Sequence, residues 1–372
     1  PGPTCPAPLT LSQMDQIGVA LVGFGLAGAV FHAPLIEQAP DLDLRVIVTG
    51  NQRRRRIATE RYPRARLCST MDDFLAEPTP VSLVVIATPN HLHLPQARAA
   101  MEHGFNVVVD KPLALNAAEA ERLIEVQERQ RVVLSVFHNR RWDNDFLLMR
   151  RTLDGGALGT VFEFESRFER WRPDVQADSW REQRTSADGG GLLLDLGSHL
   201  VDQALELFGT PKTVYAERQR RRPGVRAEDH CFLALGFAGG TRAHLWMSAI
   251  TAVPGPRFRV LGDRGSLETW GLDPQEDQLK EGKGPADRDY GQAGEGQWVR
   301  MVAGDRSAPD SGQLTLPAGR YQEYYRGMVW ALRHQGPVPV SPQSALECLR
   351  IIDLARTLDG TKSLLDPEGA PM

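Results

Sequence analysis

The sequence predicts an α/β protein. An N-terminal doubly wound parallel sheet of the Rossmann kind comes first. An α+β domain with a large open, mainly antiparallel sheet follows. Three observations carry this. The apolar run Ile17 to Val22 is followed at once by Gly23-x-Gly25-x-x-Gly28 and a helical stretch. Short apolar runs then alternate with helix-like segments as far as Phe137. After His138 the strands alternate apolar and polar residues. Continuous apolar strands are buried on both faces, as in parallel sheets, whereas alternation marks a strand with one solvated face.

At 372 residues the chain is long enough for two domains, expected at 16–138 and 139–372. A net charge of −4 argues against a nucleic-acid surface. The four cysteines, Cys5, Cys68, Cys231 and Cys348, show neither disulfide nor zinc spacing, so reduced thiols and a cytoplasmic location are expected. No metal site is read. No stretch approaches the ~20 apolar residues of a membrane span. Residues 1–15 are Pro-rich, lack signal-peptide character, and read as a disordered lead-in.

In chain order, Ile17 to Val22 is the first strand, and Ala29 to Gln38 is helical. Leu44 to Thr49 is the second strand, Arg53 to Arg61 a helix, and Ala65 to Cys68 the third strand. Thr70 is an N-cap for a short helix. Ser82 to Thr88 is apolar and therefore central; Leu94 to Gly104 is a helix and Asn106 to Val109 the fifth strand. Asn116-Ala-Ala-Glu119 is a capping box opening a helix to about Arg129, and Val132 to Phe137 is the sixth strand. Six such strands fit the order 3-2-1-4-5-6. A helix from about Asp145 to Gly155 leads into Val161 to Phe168, then a helix from Gly197 to Phe208. Strands follow at Thr213 to Gln219, Asp229 to Phe237, Thr241 to Ser248 and Phe258 to Leu261. Gly271 to Gly319 reads as a long excursion with little order, and two helices, Tyr321 to His334 and Ser344 to Leu358, close the chain.

The glycine loop Gly23-Phe24-Gly25-Leu26-Ala27-Gly28, between strand and helix, is a dinucleotide fingerprint. Gly23 makes the tight turn, Gly25 lets backbone approach a pyrophosphate, and Gly28 lets helix and strand pack closely. An NAD site ordinarily ends its second strand with an acid for the ribose hydroxyl. Here Thr49-Gly50-Asn51-Gln52 stands there, followed by Arg53 to Arg56. Arg53 could hold a 2′-phosphate, with Thr49 and Asn51 donating hydrogen bonds, so NADP(H) is expected and NAD(H) is the alternative.

Gly23 to Gly28, Thr88-Pro89-Asn90-x-x-His93, Asp110-Lys111-Pro112 and Asp195-Leu-Gly-Ser-His199 together resemble the glucose–fructose oxidoreductase/inositol dehydrogenase/rhizopine catabolism (Gfo/Idh/MocA) family. The resemblance spans about Ile17 to Leu358. Phe31-His32-Ala-Pro34 and His138 to Asp145 look most like its NADP-dependent scyllo-inositol dehydrogenase branch. The resemblance implies a cofactor domain, then an open-sheet domain that presents substrate and forms oligomer contacts. It implies a catalytic Lys111, with Asp195 and His199, and often a cis Lys111-Pro112 bond. The family's Glu-Lys-Pro is Asp110-Lys111-Pro112 here, an acid one methylene shorter. Thr88, Pro89, Asn90, His93 and Asp110 are expected near the cofactor.

Dehydrogenation of a secondary alcohol needs a base for the hydroxyl proton and a group that favours a developing alkoxide. His199, four residues after Asp195, is expected as the base, with Asp195 orienting it and raising its pKa. Lys111 is expected to hydrogen-bond the reacting oxygen. The run Gly189-Gly-Gly191 is expected to let backbone crowd a ligand. Asn139, Arg141, Trp142 and Trp171 are candidate polyol contacts, with Arg140, Arg167 and Arg172 of similar character. The expected substrate is a cyclic polyol or sugar, inositol-like first. An aldose 1-dehydrogenase, a ketosugar reductase and a non-catalytic NAD(P) sensor are the alternatives. A homodimer or homotetramer is expected through an outer sheet face carrying Phe162, Phe164 and Trp246.

Overall fold

The computed structural model describes residues 16–175, 180–304, 310–312, 314–358 and 360–363; the expected lead-in lies outside them. The first sheet holds β1 (Ile17–Val22), β2 (Leu42–Val48), β3 (Arg66–Cys68), β4 (Leu83–Ile86), β5 (Asn106–Asp110) and β6 (Leu134–Phe137). Their order is β3-β2-β1-β4-β5-β6, and every pair is parallel. The strands at the centre read Val-Ala-Leu-Val, Leu-Val-Val-Ile and Val-Val-Val and are buried. Such strands need helices on both faces. Gln52–Arg61, Met71–Ala76, His93–Glu102 and Ala117–Gln130 are the connecting α-helices that follow β2 to β5. The order reverses between β1 and β4, which opens a crevice at their C-terminal ends.

Local chemistry sets these boundaries. Thr70 and Asp73 form a reciprocal capping box at Met71–Ala76. Asn116 accepts the Glu119 N–H, but the Glu119 carboxylate takes the Leu115 N–H, so only half of the expected box forms. The turn Ala27–His32 is wound wider than an α-helix, with the Ala33 N–H reaching the Gly28 carbonyl. It lies just ahead of Pro34, which supplies no N–H to continue the α-helical ladder.

The second sheet contains β7 (Val161–Glu169), β8 (Thr213–Gln219), β9 (His230–Gly236), β10 (Arg242–Ser248), β11 (Phe258–Gly262), β12 (Gly265–Trp270), β13 (Trp298–Ala303), β14 (Asp310–Gly312) and β15 (Gly360–Ser363). Its order is β14-β13-β12-β11-β7-β10-β9-β8-β15, antiparallel throughout except for β7 beside β10. Phe164, Ala243 and Val260 share the inner face, and Phe164 packs edge-on to Phe208 of the helix Gly197–Phe208. Phe164 is therefore core and not, as expected, part of the outer face. Trp246 lies on the opposite side, with Phe232 against it and the Arg167 guanidinium over its ring.

The expectation of little order after Gly271 fails here. The stretch from Gly271 contains the helix Gln275–Lys280 and strands β13 and β14. It is fastened by buried polar groups: Asp273 accepts the N–H of Asn144 (2.7 Å) and of Gln275 (2.8 Å). The two expected closing helices form, as Gln322–His334 and Pro342–Thr357, and their segment bonds to the first domain. Tyr324 donates to Ser135 at 2.9 Å, Ser135 to the Val340 carbonyl at 2.8 Å, and the Ala117 N–H to Asp353 at 2.7 Å. They fasten the chain's end back onto the first sheet.

Candidate active site

Two hollows meet above the C-terminal ends of the first sheet. One, of about 870 Å³, runs along the glycine loop, the end of β2 and the start of the Met71–Ala76 helix. The other, of about 340 Å³, lies between the two sheets. Leu26, Ala27 and Asp110 belong to both walls.

The first hollow fits a dinucleotide. Gly23 has φ 97°, and a Cβ there would strike the Ala87 carbonyl. A Cβ on Gly28 would strike the Gly23 carbonyl. At Gly25, by contrast, a Cβ would meet only Arg54, 3.7 Å away, so this backbone faces open space. Phe24, Leu26, Ala27, Thr49, Asn51, Thr88, Pro89, Asn90 and Asp110 all line this hollow. Arg53 does not; it points outward, and Arg54 takes the wall position. The Asn51 side chain accepts the Arg54 N–H at 3.0 Å and fixes that first turn. Ser69 and Thr70 complete this end, which the sequence reading missed. Arg55 braces it by donating to the Thr49 carbonyl and Ser69 hydroxyl.

His93 also lies away from the hollow, fully buried. Its ring stands 2.8 Å from the Pro112 carbonyl and 2.9 Å from the Thr88 carbonyl. Burial holds it below the usual imidazole range, and the neutral ring donates to one of the two. It braces the turn that carries Lys111, whose bond to Pro112 is cis.

On the second hollow, Lys111 Nζ donates to the Asp195 carbonyl at 2.8 Å and to its carboxylate at 2.9 Å. Asp195 thus clamps Lys111, where the sequence reading had it orienting His199. Asp110 sits beside them. Burial works against its charge, but the His32 imidazole 3.7 Å away, Lys111 and His93 outweigh this and hold its pKa down. His32 is itself held by Tyr325, 2.6 Å from its Nδ1.

His199 lines the same wall. Its Nδ1 is enclosed without a partner among the described residues, so Nε2 is the nitrogen open to a ligand. Burial first, then the positive charges of Lys111, Arg140, His138 and Arg257, drive its pKa well below the usual value. The expected rise is overturned: burial first and then the surrounding cations set the direction, while the Asp195 carboxylate is engaged by Lys111. The ring is neutral near pH 7.

Among the other candidates, Asn139 lines the hollow. Arg141 does not: it makes a bidentate bond to Asp202 (2.9 and 2.7 Å) and a third to Glu206. Those bonds fasten the turn Asn139–Trp142 to the helix that carries His199. Trp142 packs edge-on against Tyr324, and Trp171 is 59% exposed, away from the hollow. Arg167 pairs with Glu165 on the outer face. Gly191, at φ 90°, makes room for the Glu228 carboxylate as it passes the hollow, so the crowding is by protein as well as by ligand space.

Arg140 and Arg172, both named from the sequence, lie on the wall; the reading missed Arg170, Glu182, Arg222, Glu228, Glu276 and Lys280, also there. For Arg170 and Arg172 a signal existed: two residues apart in extended chain, they share a face that Trp171 does not. For Glu276 and Lys280 there was none, because their short helix lies in an aperiodic stretch.

A dinucleotide cleft at the switch point, joined to a hollow holding a lysine–carboxylate clamp and a neutral imidazole, defines an NAD(P)-dependent oxidoreductase acting on alcohol or ketone groups. Residues 17–138 match the oxidoreductase family with an NAD-binding Rossmann fold, and residues 146–268 match the GFO/IDH/MocA C-terminal domain. The chain belongs to the Gfo/Idh/MocA family. It is 38% identical to the uncharacterized oxidoreductase YdgJ of Escherichia coli over 91% of this chain and 95% of that one. It is 34% identical to the NADP(+)-dependent scyllo-inositol 2-dehydrogenase IolW of Bacillus subtilis, over 92% and 94%. The solved structure of the oxidoreductase YvaA from Bacillus subtilis superposes with a TM-score of 0.86 at 32% identity, over 92% and 95% of the two chains. Among the described residues no helix is long and apolar enough to cross a membrane.

Proposed function

We propose that the chain is an NADP(H)-dependent dehydrogenase of a cyclic polyol or sugar, a ring of inositol dimensions first, working as a cytoplasmic homodimer or homotetramer. The observation that carries this is the pair Lys111–Asp195 lining, with His199, one hollow of monosaccharide size beside the dinucleotide cleft. Likeness to IolW supports the polyol and the scyllo-inositol branch. The choice of NADP(H) is supported by Arg54, Ser69 and Thr70 at the end of the cleft beside β2, where among the described residues no carboxylate lines the wall; Asp110 lies at its junction with the second hollow. Cytoplasmic placement is supported by Cys68, Cys231 and Cys348, which are buried free thiols.

Bound nicotinamide supplies the carbon that accepts or returns the hydride. This chain's residues handle the oxygen and its proton. Lys111 donates a hydrogen bond to the reacting oxygen and stabilises negative charge as it develops. Asp195 holds the ammonium in place. His199 Nε2, neutral, accepts the hydroxyl proton in oxidation and returns it in reduction. Asn90 Nδ2 reaches the Gly189 carbonyl (3.4 Å) and ties the first hollow's wall to the glycine run.

The test is turnover on a panel of inositols, aldoses and ketosugars, read by NADPH absorbance. Oxidation at a ring carbon supports the reading. Turnover confined to C1 of aldoses moves it to an aldose 1-dehydrogenase, and reduction of ketosugars alone to a ketosugar reductase. Tight NADPH binding with no turnover on any member would favour a sensor.

A further inference from the structure

The hollow between the sheets carries more positive charge than its own acids use. Its wall holds five carboxylates, and each is engaged. Asp195 is bound by Lys111, Glu276 by Arg140 and Lys280, and Glu182 by Arg222. Glu228 accepts the Ser186 hydroxyl and the Leu193 N–H, and Asp110 faces His32. The same wall holds six basic side chains. Four of them are the partners just named. The remaining two, Arg170 and Arg172, have no hydrogen bond or ion pair to their guanidinium groups among the described residues.

The backbone sets these two side by side. Just past the end of β7, the Arg170 N–H donates to the Ser248 carbonyl (2.8 Å) and the Arg172 N–H to the Ala249 carbonyl (2.7 Å). Two residues apart in extended chain, their side chains leave on the same side. Ser248 and Ala249 themselves line the hollow. Burial and the neighbouring Arg172 both pull the Arg170 guanidinium below its usual range, against Asp195 and Glu276. Like charges held together in a half-closed space raise each other's energy until an anion joins them. Guanidinium groups suit the two-oxygen edge of a carboxylate or phosphate. At about 340 Å³ the hollow takes a single ring and its substituent, not a nucleotide sugar.

We propose that the substrate ring carries an anionic substituent, a carboxylate or a phosphate, seated between Arg170 and Arg172 while its reacting hydroxyl meets Lys111 and His199. This rests on reading the hollow as the substrate site of the dehydrogenase and narrows the substrate to acidic rings. Neutral inositols then become weak members of the panel.

Calorimetric titration of the full chain saturated with NADP tests it, using D-glucuronate, D-glucose 6-phosphate, D-glucose and myo-inositol. At least one of the two anions should bind at least about tenfold more tightly than D-glucose, with an advantage that shrinks as salt rises. Which anion wins separates the carboxylate from the phosphate. The double variant Arg170→Gln/Arg172→Gln should lose that advantage, and Arg172→Lys should keep part of it. Arg172→Gln alone, at an exposed position, serves if the double variant melts early. Neutral rings binding as tightly as both anions would overturn the proposal, as would an anion advantage that survives loss of both arginines. If an anion binds through both arginines but no ring is oxidised or reduced, the anion site stands and the dehydrogenase reading fails.

Discussion

In the proposed reaction Lys111 is the central side chain: two oxygens of Asp195 hold its ammonium at the wall of the second hollow. Its contribution is made mainly in the transition state, so Lys111→Met should lower kcat by roughly 10²–10⁴ and change NADPH affinity little. Single-turnover kinetics beside a fluorescence titration of NADPH check this; lost cofactor affinity with chemistry intact would make Lys111 a cofactor residue. In the proposed reaction the pH profile is expected to follow His199. Its folded pKa is depressed well below 6.5, so the neutral, proton-accepting form persists into acid. The kcat/KM for oxidation should therefore be flat through pH 7 and fall only on acidification below the ordinary imidazole range, and His199→Asn should remove that limb. A limb above pH 7 in the wild type would assign the proton to another group. The sign of this shift was not legible in the sequence. Asp195 stands four residues from His199 and reads as its partner, but Lys111 comes from β5's end and Arg140 and Arg257 from other elements, and these set the field. Positions fixed by local motif were legible, including the glycine loop, Lys111, Asp195, His199 and Asn139. Arg141 and Trp142 were misread because a buried ion pair and a substrate contact call for the same residue types.

The helix Gln52–Arg61 shows the limit of reading an element from its composition. Four arginines in a row are all candidates for a 2′-phosphate, and only the helix phase, set by the Asn51 cap, decides which faces the cleft. It selects Arg54. Arg54→Ala should raise the Kd for NADPH by about tenfold, or about 1.4 kcal/mol, and leave NADH nearly unchanged. Arg53→Ala should leave both unchanged. Wild-type kcat/KM should favour NADPH by at least about tenfold, and equal use of both cofactors would remove the phosphate site. Elsewhere the caps act on stability alone. Asn116→Ala removes an acceptor for the Glu119 N–H and should cost about 1 kcal/mol in urea unfolding, with kcat unchanged. Parallel strands were legible because burial on both faces writes itself as an unbroken apolar run. The stretch Gly271 to Gly319 was not, because Asp273 and Gln275 anchor it by hydrogen bonds, which leave no period in the sequence.

At the scale of the molecule, each sheet settles its two faces differently. Helices cover both faces of the first, so its strands could be ordered from the sequence. The second has a helix on its inner face, while its outer face presents Tyr215, Phe232, His244 and Trp246 in a continuous ring cluster. Trp298, stacked on Trp270 at 5.4 Å, adds a second apolar area and is 40% exposed. Alternation revealed that one face is solvated or partnered, but not which residues lie on it: the phase of β7 puts Phe164 inward, and the bonds fixing that phase come from β10 and β11. Around the rings stand charges of both signs, Glu165, Arg167, Arg259, Glu268 and Arg300, already paired with one another. Such a face, apolar at the centre and neutralised at its rim, is suited to a second copy of itself, and exposed apolar patches of this kind seldom stay uncovered. The chain should therefore sediment as a dimer or tetramer at micromolar concentration. Trp246→Glu would place a carboxylate within the ring cluster and should shift the population towards monomer without changing NADPH affinity, since Trp246 lines neither hollow. A fully active monomer of the wild-type chain under the same conditions would show that this face serves another purpose.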